Sequence, residues 1–212
     1  MAALFWDKIS PVYDLFETLY NRKVYLGTGE AVAAMLDSRD EVLECACGTG
    51  AISRALAARC QSLVATDVSE GMLRQAAKKL KDKGNVTVEK ADMLRLPYAD
   101  GRFDKLVAGN VIHLLPEPES ALQELERVLK PGGRIILPTY INLTKKSNRA
   151  AASLLVWLGA DFQRQFDQAS YQDFLEEMGY RDVQYTVIEG RMPCAIAVIA
   201  KRQPECKSEI KV

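Results

Sequence analysis

Read for apolar and polar positions, the chain changes its period near residue 40. Before that point Phe5, Trp6, Ile9, Val12, Tyr13, Leu15, Phe16, Leu19 and Tyr20 recur at helical spacing, which predicts helices over residues 1–39, broken at Pro11 and around Gly27-Thr28-Gly29. The alanine-rich piece Glu30 to Leu36 is expected to pack on a sheet. After residue 40, short apolar runs alternate with helical stripes. Strands are predicted from Glu41, over Ser62 to Thr66, Asn85 to Lys90, Phe103 to Gly109 and Arg134 to Tyr140. Between them lie amphipathic helices carrying Ile52, Ala55 and Leu56, then Met72, Leu73, Ala76, Ala77 and Leu80, then Leu122, Leu125, Val128 and Leu129. Ser69 is a predicted N-cap, and Lys130-Pro131-Gly132-Gly133 a predicted helix stop. Alternation of this kind makes an α/β domain with a parallel sheet.

The last third departs from it. Residues 142–168 are too long for a simple connection and carry an apolar helical stretch, Ala151 to Leu158, expected as an inserted helix. A short helix, Tyr171 to Met178, precedes two strands, Asp182 to Ile188 and Pro193 to Ala200, joined at Glu189-Gly190-Arg191. Hairpin spacing predicts an antiparallel edge there. The charged end from Pro204 is expected to be mobile.

Composition narrows the function. The 212 residues are 48% hydrophobic, with 28 basic and 28 acidic side chains and no formal net charge. That balance argues against a nucleic-acid protein working by phosphate neutralisation and favours a small-molecule pocket. Asp7 and Lys8 interrupt any signal-peptide core, and no run reaches the ~18 apolar residues of a membrane span. Five cysteines, an odd number lying mostly in predicted strands and a helix, suggest reduced thiols in a cytoplasmic protein. One histidine and no second cysteine pair leave no closed zinc site.

In an open parallel sheet the carboxyl ends of the strands hold the ligand. The first strand runs into Cys45-Ala46-Cys47-Gly48-Thr49-Gly50, a turn where backbone can approach a ligand closely. Asp67 ends the second strand, 17 residues after Gly50. It can accept from both hydroxyls of a ribose or serve the helix that Ser69 caps. Asp92, after the third strand, can accept from an adenine amino group or sit in solvent. Asn110 to His113 follow the fourth strand. His113, the sole histidine, faces the expected site as a general base or as an ordinary helix-start residue. Tyr13 could cover the reacting centre or pack in its helix.

The blocks Val42 to Gly50, Ala65 to Leu73, Ala91 to Tyr98, Phe103-Asp104 and Glu126 to Gly133 resemble the class I S-adenosylmethionine-dependent methyltransferases. The similarity is to the small-molecule group that includes quinone C-methyltransferases and phospholipid N-methyltransferases. Trp6 to Asp14 is similar to a segment that often precedes the domain. The family's first turn glycine is Ala46 here. The resemblance implies a doubly wound, Rossmann-like, seven-stranded, mostly parallel sheet with an antiparallel last strand. One domain is expected over residues 1–203, with a tail from 204. The apolar stretches 4–20 and 151–158, within the N-terminal helices 1–39 and the insertion 142–168, could close over the acceptor as a helical lid or simply bury against the sheet. The resemblance also implies methyl transfer from S-adenosyl-L-methionine to a small molecule, apolar or aromatic if the lid closes over it. Glu44, Ala46, Cys47, Gly48 and Gly50 would border the methionine half, Asp67 the ribose, Val68 or Met72 an adenine face, Asp92 and Met93 the adenine edge, and Asn110 the sulfonium. The rival readings are a nicotinamide-dependent oxidoreductase and a non-catalytic binder of the same cofactor.

Overall fold

The computed structural model describes residues 2–141 and 163–202. The expected Ala151 to Leu158 helix and the tail from Pro204 lie outside the described residues. Helix α1 is Ala2–Ala33, followed by β1 Glu41–Cys45, α2 Ala51–Leu56, β2 Ser62–Asp67, α3 Glu70–Leu80, β3 Val86–Lys90 and β4 Phe103–Ala108. A 3-10 turn, Ile112–Leu114, leads to α4 Pro118–Val128, β5 Leu129–Tyr140, α5 Gln168–Glu177, β6 Gln184–Ile188 and β7 Cys194–Ala200.

The seven strands form one sheet in the order β3-β2-β1-β4-β5-β7-β6. β1 lies in the middle, parallel to β2 on one side and β4 on the other. Its Val42, Leu43 and Cys45 are wholly buried, as a strand covered on both faces requires. β3, at the edge, keeps three of its five residues exposed. Neighbouring residues of a strand face opposite sides, so Leu106 and Ile135 join one core with Leu122, Leu125 and Tyr171, while Val107 and Ile136 join another with Val32, Leu56 and Leu80.

Three features refine the expectations. The antiparallel edge forms as the hairpin spacing predicts, with β7 lying between β5 and β6 and antiparallel to both. β5 begins pairing at Leu129, opposite Phe103, and the Lys130 to Gly133 turn bulges out before pairing resumes at Arg134, opposite Lys105. Lys130 holds that bulge by reaching Glu41 at 3.1 Å and Asp104 at 2.9 Å.

The third concerns α1, which runs through Pro11 and Gly27 to Gly29 without stopping. Pro11 has no N–H to offer the Asp7 carbonyl, and the Ser10 hydroxyl donates to that oxygen instead, at 3.0 Å. The interruption falls at Asn21 (φ −140°, ψ 34°). There the side-chain amide donates to the Met192 carbonyl at 2.8 Å and accepts from the Met192 N–H at 3.1 Å. Hydrogen bonding to the chain before β7 thus places the kink that local sequence assigned to proline and glycine.

Candidate active site

The strand order reverses between β1 and β4, and their carboxyl ends open into a cavity of about 140 Å³. Its floor is the turn after β1. Ala46 and Gly48 both take left-handed backbone (φ 53° and 54°). At Gly48 an added Cβ would meet nothing within 4 Å, so the cavity side of the turn is open. Gly50 (φ 79°) starts α2, and a Cβ there would press on Ala76 and Leu80 of α3 at 3.2–3.3 Å. Its glycine therefore serves helix packing.

Alanine at position 46 pays for a conformation glycine adopts freely. Ala46→Gly is expected to raise Tm by roughly 2–4 °C, the equivalent of about 1 kcal/mol in a chain of this size. A thermal scan showing a fall would contradict the strain.

Asp67 fixes the turn from β2. Its Oδ2 accepts from Gly48 N–H at 2.9 Å and its Oδ1 from Ser69 N–H at 2.8 Å. Burial raises its carboxyl above the usual range, against the lowering effect of those N–H groups. Each oxygen keeps a second lone pair toward the cavity it lines.

Glu44, at the end of β1, is 2% exposed and also lines the cavity. Burial pushes its carboxyl up to about 8, partly offset by the Ser53 hydroxyl and reinforced by Asp67. Its Oε2 has no hydrogen-bond partner within bonding geometry. A buried polar oxygen in that state suits a cationic group entering the cavity.

The opposite wall comes from α1. Trp6, Tyr13, Tyr25 and Thr28 face the cavity, together with Tyr140 from the end of β5. Three acids on the inner side of the helix anchor it. Asp7 Oδ1 accepts from Ser69 Oγ at 2.6 Å and Gly71 N–H at 2.7 Å, with Gly71 so close that a Cβ would lie 2.8 Å from the Asp7 Cα. Asp14 accepts from Tyr25 Oη and Thr49 Oγ1 at 2.5 Å, and from Lys79 Nζ at 2.7 Å. Glu17, 3% exposed, accepts from Tyr140 Oη at 2.9 Å, with the Tyr13 hydroxyl also against it. Burial raises its carboxyl, the two hydroxyls oppose the rise, and Asp14 adds to it.

Of the residues singled out from sequence, the structure brings Tyr13, Glu44, Ala46, Cys47, Gly48, Asp67, Val68, Met72 and Asn110 to one cavity. Asn110 reaches it in left-handed backbone (φ 53°), its Oδ1 accepting from Tyr140 N–H at 3.0 Å. Gly50, Asp92, Met93 and His113 do not line it. Asp92 is exposed and turns its side chain back to Leu94 N–H at 2.9 Å, while Met93 packs into the core beside Leu43 and Cys45. His113 is 4% exposed, and burial pushes its imidazole down to about 4. Such a ring stays neutral at physiological pH.

Sequence reasoning missed Asp14, Glu17, Thr49 and Tyr25. A signal existed: Asp7, Asp14 and Glu17 are spaced by seven and three, which puts all three acids on one face of the helix. Among the described residues, no group of three or more histidines, cysteines or acids could hold a metal ion.

A methyltransferase-domain family model matches residues 43–137. The chain is 39% identical over 141 residues to the demethylmenaquinone methyltransferase of Clavibacter sepedonicus, covering 65% of this chain and 56% of that protein's length. It is 30% identical over 176 residues to the ubiquinone/menaquinone biosynthesis C-methyltransferase UbiE of Burkholderia mallei, covering 78% and 72% respectively. A solved S-adenosylmethionine-dependent methyltransferase of Thermotoga maritima has the same fold, with a TM-score of 0.71 at 22% identity over 93% of this chain and 99% of that one.

Proposed function

We propose an acceptor for a chain that belongs to the class I S-adenosylmethionine-dependent methyltransferases: an apolar aromatic small molecule of the quinol kind, methylated on a ring carbon. The observation that carries this reading is the ring-lined wall, where Trp6, Tyr13, Tyr25 and Tyr140 face the same cavity as Glu44 and Asp67. The names of the two curated relatives support it. The cytoplasm is the compartment it fits, the four described cysteines being buried and unpaired.

The residues present suit the donor. Asp67 would hold the ribose hydroxyls, Val68 and Met72 the adenine, and Glu44 with the left-handed turn the methionine end, its ammonium drawing Glu44 to ionise. When bound, S-adenosylmethionine supplies an electrophilic methyl group on a sulfonium. The protein aligns the acceptor and excludes water, and α1 acts as the lid that does so.

Carbon methylation also needs a proton removed from the acceptor. Tyr140 donates its hydroxyl proton to Glu17, leaving the phenolic oxygen free to accept from an acceptor hydroxyl in the cavity. A proton shift from that hydroxyl to Tyr140, and from Tyr140 to Glu17, leaves the acceptor oxygen electron-rich. Its electron pair, conjugated through the ring, makes the ortho carbon nucleophilic. Transfer to that carbon would break the methyl–sulfur bond and release the neutral demethylated thioether. The proton on the methylated carbon would then leave to water, and the proton held on Glu17 would return through Tyr140 to the acceptor oxygen, restoring the aromatic ring. His113, off the cavity and neutral, takes no part.

The test is incubation with methyl-labelled S-adenosylmethionine and a panel of a naphthoquinol, a simple phenol and a polar amine. Label on a ring carbon of the naphthoquinol is expected. Label confined to the amine would overturn the reading.

A further inference from the structure

The outward face of α1 carries a pattern that the cavity does not use. Leu4, Val12, Leu15, Leu19 and Leu26 are 49–76% exposed, among the most exposed large apolar side chains described. Those up to Leu19, with Lys8 between them, fall within an arc of about 80° on a helix turning 100° per residue. Lys8, Arg22 and Lys23 are the exposed charges of this stretch, and all are basic. Its acids are engaged within the fold, Glu17 buried and Asp7 and Asp14 half-buried: Asp7 with Ser69 and Gly71, Asp14 with Lys79, Thr49 and Tyr25, and Glu17 with Tyr140.

We propose that this face of α1 docks on the surface of an anionic lipid bilayer, with the helix lying in the interface. The chemistry matches: leucines enter the boundary of the acyl chains while lysine and arginine meet anionic headgroups. Among the described residues no helix is long and apolar enough to cross a membrane, so the helix lies on the bilayer. A second copy of the chain fits less well, because a symmetric contact would set Lys8, Arg22 and Lys23 against like charges. The inner face of the same helix lines the cavity, so docking would set the cavity wall beside the bilayer. The inference rests on exposure and charge and is independent of which acceptor is methylated.

The experiment is flotation of the full chain with vesicles of phosphatidylcholine alone, or of phosphatidylcholine mixed with phosphatidylglycerol. Recovery with the anionic vesicles is expected to be about tenfold greater and to fall as salt rises. The double variant Leu15→Glu, Leu19→Glu is expected to lose that binding, with its circular dichroism and its affinity for S-adenosylmethionine unchanged. Equal recovery with neutral and anionic vesicles would overturn the proposal, as would failure to bind either. So would a dimer of the wild-type chain that the double variant abolishes, because a second copy would then occupy the face.

Discussion

Asp67→Ala is expected to weaken S-adenosylmethionine binding by roughly a hundredfold, because two charge-assisted hydrogen bonds to a ribose are worth about 1.5–3 kcal/mol each and some of that is recovered by water. The carboxylate also accepts from Gly48 and Ser69 N–H, at 2.9 and 2.8 Å. Its removal leaves both donors without their partner, and a stability loss of about 1–3 kcal/mol is expected alongside. Asp67→Asn separates the two effects. Its remaining oxygen can keep one backbone bond while the charge is lost, so it should stay closer to wild type in Tm and still bind the cofactor about tenfold more weakly. Calorimetric titration of both variants checks this. Affinity unchanged in both would remove Asp67 from the ribose.

Glu17→Gln is expected to lower kcat for a quinol acceptor by about 10²–10⁴, the usual range for loss of a general base. Cofactor affinity should stay near wild type, since Glu17 does not line the cavity. The groups facing Glu17 are Tyr13, Asp14 and Tyr25 from its own helix, Tyr140 from β5 and Cys194 from β7. None of these is a cation. Burial therefore sets the direction, and the carboxyl ionises above the ordinary range for glutamate. In the wild type kcat should rise with pH as Glu17 loses its proton and then level off. In Glu17→Gln that limb should vanish, with activity climbing only where the acceptor itself ionises. Glu17→Asp should recover part of the rate. A variant that lost cofactor binding and kcat together would mark Glu17 as structural only.

The sheet was readable because strands covered on both faces carry apolar runs: Val42-Leu43 in β1, Leu63-Val64-Ala65 in β2, Leu106-Val107-Ala108 in β4 and Ile135-Ile136-Leu137 in β5. The position of β7 was not readable: hairpin spacing tells that β6 and β7 pair, and only the register of Arg134 to Tyr140 against Cys194 to Ala200 shows that β7, antiparallel, is the strand that joins the hairpin to β5. Tertiary bonds likewise decided α1. Ser10 satisfies the carbonyl that Pro11 leaves open, and Met192 draws Asn21 out of the helix.

Much of the cavity lining was legible, since glycine turns and acids at strand ends announce themselves, and Glu44, Gly48 and Asp67 all line it. Asp92 and Met93 misled because they follow β3, the edge strand, two places from the β1–β4 opening. Glu17 was hidden for another reason. An acid in a helix reads as solvated until the face it occupies is known, and here the exposed face is the apolar one.

The most direct measurement is calorimetric titration of the full chain with S-adenosylmethionine, with its demethylated product, and with a nicotinamide dinucleotide. Saturable binding of the first two at one site per chain, with no heat from the third, is predicted. Binding of the nicotinamide dinucleotide with none of S-adenosylmethionine or its product would contradict the cavity's assignment.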